Sequence, residues 1–404
     1  MKRFLFVINL YNDVDHCAPL AFDLLSRGHA VGIIGLTAFP LSEDLRIQRL
    51  AQFSKFRIHS FKLLPRNTGI SNQHSGALSF PKKVFRELVF NWVLAVTFLV
   101  LHRYEVIIFT WGRPRAKGFQ RRIFNASRTL GLLAICIPHG QNIYLNYDVN
   151  QALRRQYNAT RQWPNFSDRD GFDAYVVQTD RHRVQHIDWG MNPAKVHAWG
   201  SLRFDPEWIT TNTTLYNAEH SPKIKREQEL AVVFFLPHWR YNVDESACIE
   251  LIRRIADLSH ICLQVKGHTR GDRLSPETIR QLRQNPNCNL DSDFESTPLL
   301  DWADVAINFG SSIALEAVVK DIPVIYPSFL HENLTIFDDC GYVFDCMNHD
   351  EVISLLNEPA RLTTPSKTQG KSRQRLLQSE IFNNKDATQS VPRMYADRIL
   401  GMRP

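Results

Sequence analysis

The chain of 404 residues is 44% hydrophobic and 22% charged, an ordinary globular composition with room for two domains. Its seven cysteines (Cys17, Cys136, Cys248, Cys262, Cys288, Cys340 and Cys346) are odd in number and form no CxxC, which points to free thiols and away from a disulfide framework or a zinc site. The net charge of +7 is uneven, about +13 over residues 1–206 and −6 over the rest.

The N-terminus, MKRFLFVINLYND, carries an apolar run of seven residues, too short for a signal peptide, and is expected to be a strand from Phe4 to Leu10. Tyr11-Asn12-Asp13 reads as a loop, Pro19 to Arg27 as an amphipathic helix ended by Gly28-His29, and Ala30 to Leu36 as a second, parallel strand. Leu88 to Leu101 is apolar over 14 residues, short of the roughly 18 needed to cross a bilayer. It is expected to be a buried helix, with membrane-surface docking beside Lys82, Lys83 and Arg86 as the other reading. A second basic cluster, Arg113, Arg115, Lys117, Arg121 and Arg122, also suits anionic lipid or an anionic acceptor. No helix-turn-helix, RRM or finger pattern accompanies the charge, so no nucleic-acid partner is expected.

Val106 to Phe109 reads as a strand leading into Thr110-Trp111-Gly112-Arg113-Pro114, and Leu132 to Ile137 as a strand ending in Pro138-His139-Gly140-Gln141. A histidine at the tip of a parallel strand is suited to general-base work near neutral pH, although a lone histidine is more often structural. Phe172 to Val177, the helix Arg181 to Trp189 and Lys195 to Gly200 follow, the last leading through Ser201-Leu202-Arg203-Phe204-Asp205 into the polar segment 206–229, read as a linker.

Beyond it, Leu230 to Leu236 is expected to be a strand ending in Pro237-His238-Trp239-Arg240, and Glu245 to Leu258 a helix. The strand Ile261 to Val265 ends in Lys266-Gly267-His268-Thr269-Arg270-Gly271-Asp272, where cationic side chains and glycines suit phosphate capture. The plainer reading is solvated surface charge. Val305 to Ile307 closes on Asn308-Phe309-Gly310, after which Ser311 and Ser312 open a helix as N-cap hydroxyls, and Val324 to Tyr326 is the next strand. The start of such a helix at a strand's carboxyl end favours a phosphate, and Glu316, one turn in, is placed to accept hydrogen bonds from ribose hydroxyls. Arg361 to Gly370 reads as loose, and Val391 to Leu400 as a last helix.

The histidine-glycine tip, the GS-x-R-x-D loop, the K-x-H-x-R tip and the DxxxxxGSSxxxEAxxxxxPVI run resemble GT-B transferases of bacterial surface polysaccharide synthesis. Those are the capsule and lipopolysaccharide glycosyltransferases and the CDP-glycerol glycerophosphotransferases. The resemblance implies an α/β chain of two Rossmann-like domains whose parallel sheets face an interdomain cleft. Residues 1–205 would form the acceptor domain, 206–229 the linker and 230–375 the nucleotide-donor domain, with a helical tail, 376–404, returning towards the first.

It further implies transfer of a sugar from a nucleotide-sugar donor to a hydroxyl of a surface glycan or its lipid carrier, without metal or resident cofactor. His139 and His268 would be catalytic; Lys266, Arg270, Gly310, Ser311, Ser312 and Glu316 would hold the donor; Gly140, Arg113 and Asp13 would stand on the acceptor side. The free thiols point to the cytoplasm, and the basic first half adds peripheral contact with the inner face of the cell membrane as a further reading. The alternatives are transfer of glycerol or ribitol phosphate from a CDP donor, and a non-catalytic binding protein of the same fold. Thr269 stands where these families have proline. Nucleotide-sugar 2-epimerases share the fold, but their first strand leads into a G-T-R-P-E-like loop and this chain has Ile8-Asn9-Leu10-Tyr11-Asn12. Asp-x-Asp occurs three times (Asp13/Asp15, Asp168/Asp170, Asp291/Asp293) and so is no metal signature.

Overall fold

The computed structural model describes residues 1–35, 40–59, 91–112, 114, 119–147, 149, 151–217, 230–268, 274–290, 295–363, 367–384 and 389–403. Thirteen strands are described: β1 Arg3–Ile8, β2 Ala30–Gly35, β3 Phe56–His59, β4 Val106–Thr110, β5 Leu133–Ile137, β6 Ala174–Val177 and β7 Val196–Ala198, then β8 Leu230–Phe235, β9 Ile261–Lys266, β10 Cys288–Asn289, β11 Val305–Ile307, β12 Val324–Pro327 and β13 Phe344–Cys346. They form two parallel sheets, in the orders β3-β2-β1-β4-β5-β6-β7 and β10-β9-β8-β11-β12-β13. Central strands such as Val106–Thr110 and Leu133–Ile137 are buried at every residue, as strands covered by helices on both faces must be.

The chain divides into two compact units, Met1–Gly140 with Asn165–Asp205 and Asp386–Pro404, and Gln141–Pro164 with Pro206–Lys385. In the first unit the strand order reverses between β1 and β4; in the second it reverses between β8 and β11. The crevice outside the carboxyl ends of strands at such a reversal is where open α/β sheets take ligands.

Several expected elements differ. Helix α1 runs Tyr11–Ser26, so Tyr11 to Asp13 is its first turn and Pro19 lies inside it. Local rules fail because tertiary burial of Val14, Cys17, Ala18, Leu20, Ala21, Leu24 and Leu25 outweighs the hydrogen bond that proline removes. Its start is fixed by Asp13, whose Oδ2 accepts from the amides of Asn9 (2.6 Å) and Leu10 (2.9 Å). Pro206–Asn217 is a helix where a polar linker is expected, and Pro359–Thr363 and Lys367–Glu380 are helical where a loose tail is expected. The helix Val391–Gly401 belongs to the first unit: its first amide donates to Asp205 Oδ2 (2.8 Å) and Tyr395 Oη to the Gly200 carbonyl (2.9 Å).

Of the apolar stretch 88–101, the described helix Asn91–His102 buries Ala95, Phe98 and Leu99 and exposes Val93, Val100 and Leu101. Among the described residues no helix is long and apolar enough to cross a membrane. Lys82, Lys83, Arg86, Arg115 and Lys117 lie outside the described residues.

Candidate functional site

In the first unit, the reversal between β1 and β4 gathers residues from three strand tips. Asp13, 1% exposed, spends one carboxylate oxygen on the two amides that open α1 and the other on Nδ1 of His139, which follows β5. A carboxylate only accepts, so Nδ1 is the donor in this pair, which fixes the tautomer of the neutral, half-buried imidazole with its lone pair on Nε2. Gly140, beside it, is exposed, its carbonyl takes a bond from Gln178 Nε2, and a side chain at its Cβ position would meet nothing within 4 Å. Trp111, at the end of β4, lies 6.2 Å from the His139 ring, centroid to centroid. Arg113 lies outside the described residues.

Behind the pair, Asp15 is bridged by Arg46 and by Arg203 Nη1 (2.9 Å), from the Ser201–Asp205 loop. Burial alone would raise the Asp15 pKa, but the guanidinium groups of Arg203 and Arg46 outweigh it and hold the carboxyl below its ordinary value. His16 is fully buried, and neither ring nitrogen has a hydrogen-bond partner among the described residues. Burial, only partly opposed by the Asp15 charge, pushes its pKa down to about 3, so the ring stays neutral.

Burial also pushes His59 and His186 down to about 4. The unfolded chain therefore binds protons that the folded chain refuses, and stability falls as pH drops below about 6.5, by at most about 1.4 kcal/mol per pH unit for each ring. Melting temperatures across pH 7 to 5 should fall, and His16→Leu should flatten that slope. An unchanged slope would remove His16 from the explanation.

In the second unit, three neighbouring strand tips converge at the reversal between β8 and β11. Lys266 ends β9 and is 9% exposed; His268, two residues on, stacks with His238 from the tip of β8 at 5.3 Å and 26°. His238 also meets Tyr241 (4.8 Å), which packs edge-on against Tyr144 (5.8 Å). Tyr144 Oη donates to the Gly310 carbonyl at 3.0 Å. A Cβ on Gly310 would lie 2.9 Å from Cβ of Pro237, so the β8 and β11 tips approach as closely as glycine permits.

Asn308, fully buried, accepts from the Ser311 amide (3.2 Å), while its Nδ2 has no partner among the described residues. The helix is Ile313–Val319, and here capping differs from expectation. Ser311 Oγ accepts from the Ile313 amide at 3.5 Å, whereas Ser312 is already in the helical conformation and makes no side-chain cap. Its hydroxyl is not consumed by capping. Glu316 is buried, with Lys320 Nζ 4.0 Å from its carboxylate. Arg270 lies outside the described residues.

His238, Tyr144 and Tyr241 are members of this cluster that spacing does not single out, and only the Pro237-His238 strand tip is visible as a signal. His331 is another. It lies flat on Phe309 (5.7 Å, 3°), its Nε2 has no partner among the described residues, and burial lowers its pKa.

No protein-family model and no curated protein sequence matches the chain. Solved structures of similar fold do. A UDP-GlcNAc 2-epimerase from Neisseria meningitidis bound to UDP-GlcNAc is 12% identical with a TM-score of 0.57, over 93% of this chain and 99% of that one. The S. aureus MnaA–UDP co-structure is 12% identical, TM-score 0.54, over 99% and 95%. The calicheamicin glycosyltransferase CalG4 is 11% identical, TM-score 0.51, over 99% and 98%. At these identities the likeness is one of fold, and the fold is GT-B, built from two Rossmann-like units.

Proposed function

We propose that the chain transfers a glycosyl group from a nucleotide-sugar donor to a hydroxyl of a glycan or lipid-linked acceptor, the acceptor class being that implied by the motif resemblance. The observation that carries the donor half is the convergence, on adjacent strand tips of the second unit, of Lys266, His268 and the Gly310-Ser311-Ser312 turn. Lys266, with Arg270, would neutralise the diphosphate, the serine hydroxyls would bond its oxygens, and Glu316 would receive ribose hydroxyls. Support also comes from the UDP and UDP-GlcNAc held by two solved structures of this fold. In the first unit, His139 Nε2 would take the acceptor hydroxyl's proton as the oxygen attacks the anomeric carbon. The bond from that carbon to the diphosphate oxygen gives way as the new bond forms, its electron pair leaving with the nucleotide.

The likeness to the N. meningitidis epimerase supports a second reading, interconversion of a UDP-sugar with no acceptor. A thermal-shift panel of UDP, GDP, CMP and CDP tests the donor site common to both. The cognate nucleotide at one hundred times its dissociation constant should stabilise the protein by about 2.7 kcal/mol. Silence from all four at millimolar concentration would defeat both readings. Proton NMR of the protein with UDP-GlcNAc alone then separates them, since a 2-epimer forming without acceptor would favour epimerisation.

A further inference from the structure

The transferase reading uses Asp13 and His139 but leaves Trp111, their neighbour at the reversal of the first sheet, without a role. Its backbone is left-handed, φ 43°, a conformation that a bulky side chain keeps only where its surroundings fix it, and such positions concentrate at ligand-binding sites. The flanking contacts supply that fixing. The Trp111 amide donates to the Ile137 carbonyl (3.1 Å) and the Gly112 amide to Cys136 Sγ (2.9 Å). A Cβ on Gly112 would come within 2.3 Å of Phe172, so the chain is pressed onto the core immediately after the tryptophan.

The ring is also held from within the unit. Arg169, 1% exposed, places its guanidinium carbon 4.9 Å from the Trp111 ring centroid. That cation is itself lodged 3.3 Å from the Phe166 centroid, and it donates to Tyr175 Oη at 2.7 Å. The His139 and His186 rings stand roughly edge-on, at 6.2 Å and 6.3 Å. For all this support the tryptophan remains 40% exposed, among the largest apolar side chains that the described surface shows. A large aromatic ring locked in one orientation, open to solvent and next to a base, is the arrangement that receives the C–H face of a sugar. The electron-rich ring face attracts those hydrogens while the hydroxyls stay free at the sugar's rim.

We propose that Trp111 is the platform on which a pyranose ring of the acceptor stacks, which places one of its hydroxyls within the reach of His139. The inference rests on the transferase reading for the word acceptor, and within that reading it selects a sugar over a polyol phosphate. A glycerol or ribitol phosphate chain has no flat C–H face to lay on an indole.

The test uses the full chain grown with 5-fluorotryptophan, whose eight tryptophans give separate fluorine signals. The Trp111 signal is assigned by its loss in Trp111→Phe or, should that variant fail to fold, in Trp111→Tyr. Methyl glucopyranoside, methyl N-acetylglucosaminide, methyl galactopyranoside, glycerol 1-phosphate and UDP are titrated separately. The Trp111 signal is expected to move saturably with at least one methyl glycoside and to stay still with glycerol 1-phosphate and UDP. Immobility with all three glycosides overturns the proposal, as does a response to glycerol 1-phosphate or UDP alone. UDP stabilisation with an inert Trp111 defeats this inference and leaves the transferase reading standing. A glycoside response with no nucleotide binding does the reverse.

Discussion

His139→Ala is expected to lower turnover by about 10²–10⁴ while leaving the nucleotide dissociation constant within a factor of two. The split follows from where the residue sits: His139 belongs to the first unit, and the residues assigned to the diphosphate belong to the second. Asp13→Asn sharpens the test. Asp13 Oδ2 accepts from two backbone amides that open α1, and an asparagine would keep its carbonyl oxygen there. Its NH2 would then face His139 Nδ1, forcing that nitrogen to become an acceptor and moving the ring proton to Nε2. The base would be present, correctly placed and unable to take a proton. Asp13→Asn should therefore lose activity in the range of His139→Ala, and the double variant should be little worse than either, as expected for residues acting as one unit. Turnover within threefold of wild type in either single variant would end the general-base assignment.

The legibility of the chain divides along a physical line. Buried strands such as Val106–Thr110 and Leu133–Ile137 are visible in sequence because parallel strands covered on both faces are nearly continuous apolar runs. The edge strands Phe56–His59, Cys288–Asn289 and Phe344–Cys346 are not, since short, half-polar segments carry the same composition as turns. Strand tips are legible as places where chemistry collects, which is how His139, Lys266 and Gly310 stand out from spacing alone. What spacing does not hold is pairing between distant segments. Asp13 looks like a loop residue until His139, 126 positions away, is laid against it, and Tyr144 acquires a role only through the Gly310 carbonyl, 166 positions away. The same holds for Trp111, an unremarkable loop residue in sequence whose setting depends on Arg169, Phe172 and Cys136.

Arg46→Ala is expected to cost about 3–5 kcal/mol of stability, the amount typical when one partner of a buried ion pair is removed and the others are left charged. Arg46, 3% exposed, stands at the start of helix α2, Leu45–Ala51. It grips Asp44 with two nitrogens, Nε to Oδ1 at 3.0 Å and Nη2 to Oδ2 at 2.6 Å, and reaches Asp15 on α1 with its third. Asp44 is also the N-cap of α2, accepting from the Arg46 amide at 2.9 Å, so one arginine ties the start of α2 to the first turns of α1. Asp15 keeps a pKa below the ordinary carboxylate value, and its favourable share is therefore present above about 3.8 and lost only as pH falls through that lower folded value. At neutral pH the deletion meets a fully charged Asp15. Arg203 would still hold Asp15 after the deletion, whereas Asp44 would lose both of these side-chain bonds. Arg46→Lys should recover only part of the loss, because an ammonium supplies charge without the two parallel bonds. Urea unfolding of the three proteins at pH 7 measures the series. A loss under 1 kcal/mol for the alanine variant would mean that the network is not what fastens α2 to α1. A full loss is expected to lower turnover as well, because the helix start that the network secures is the one that carries Asp13.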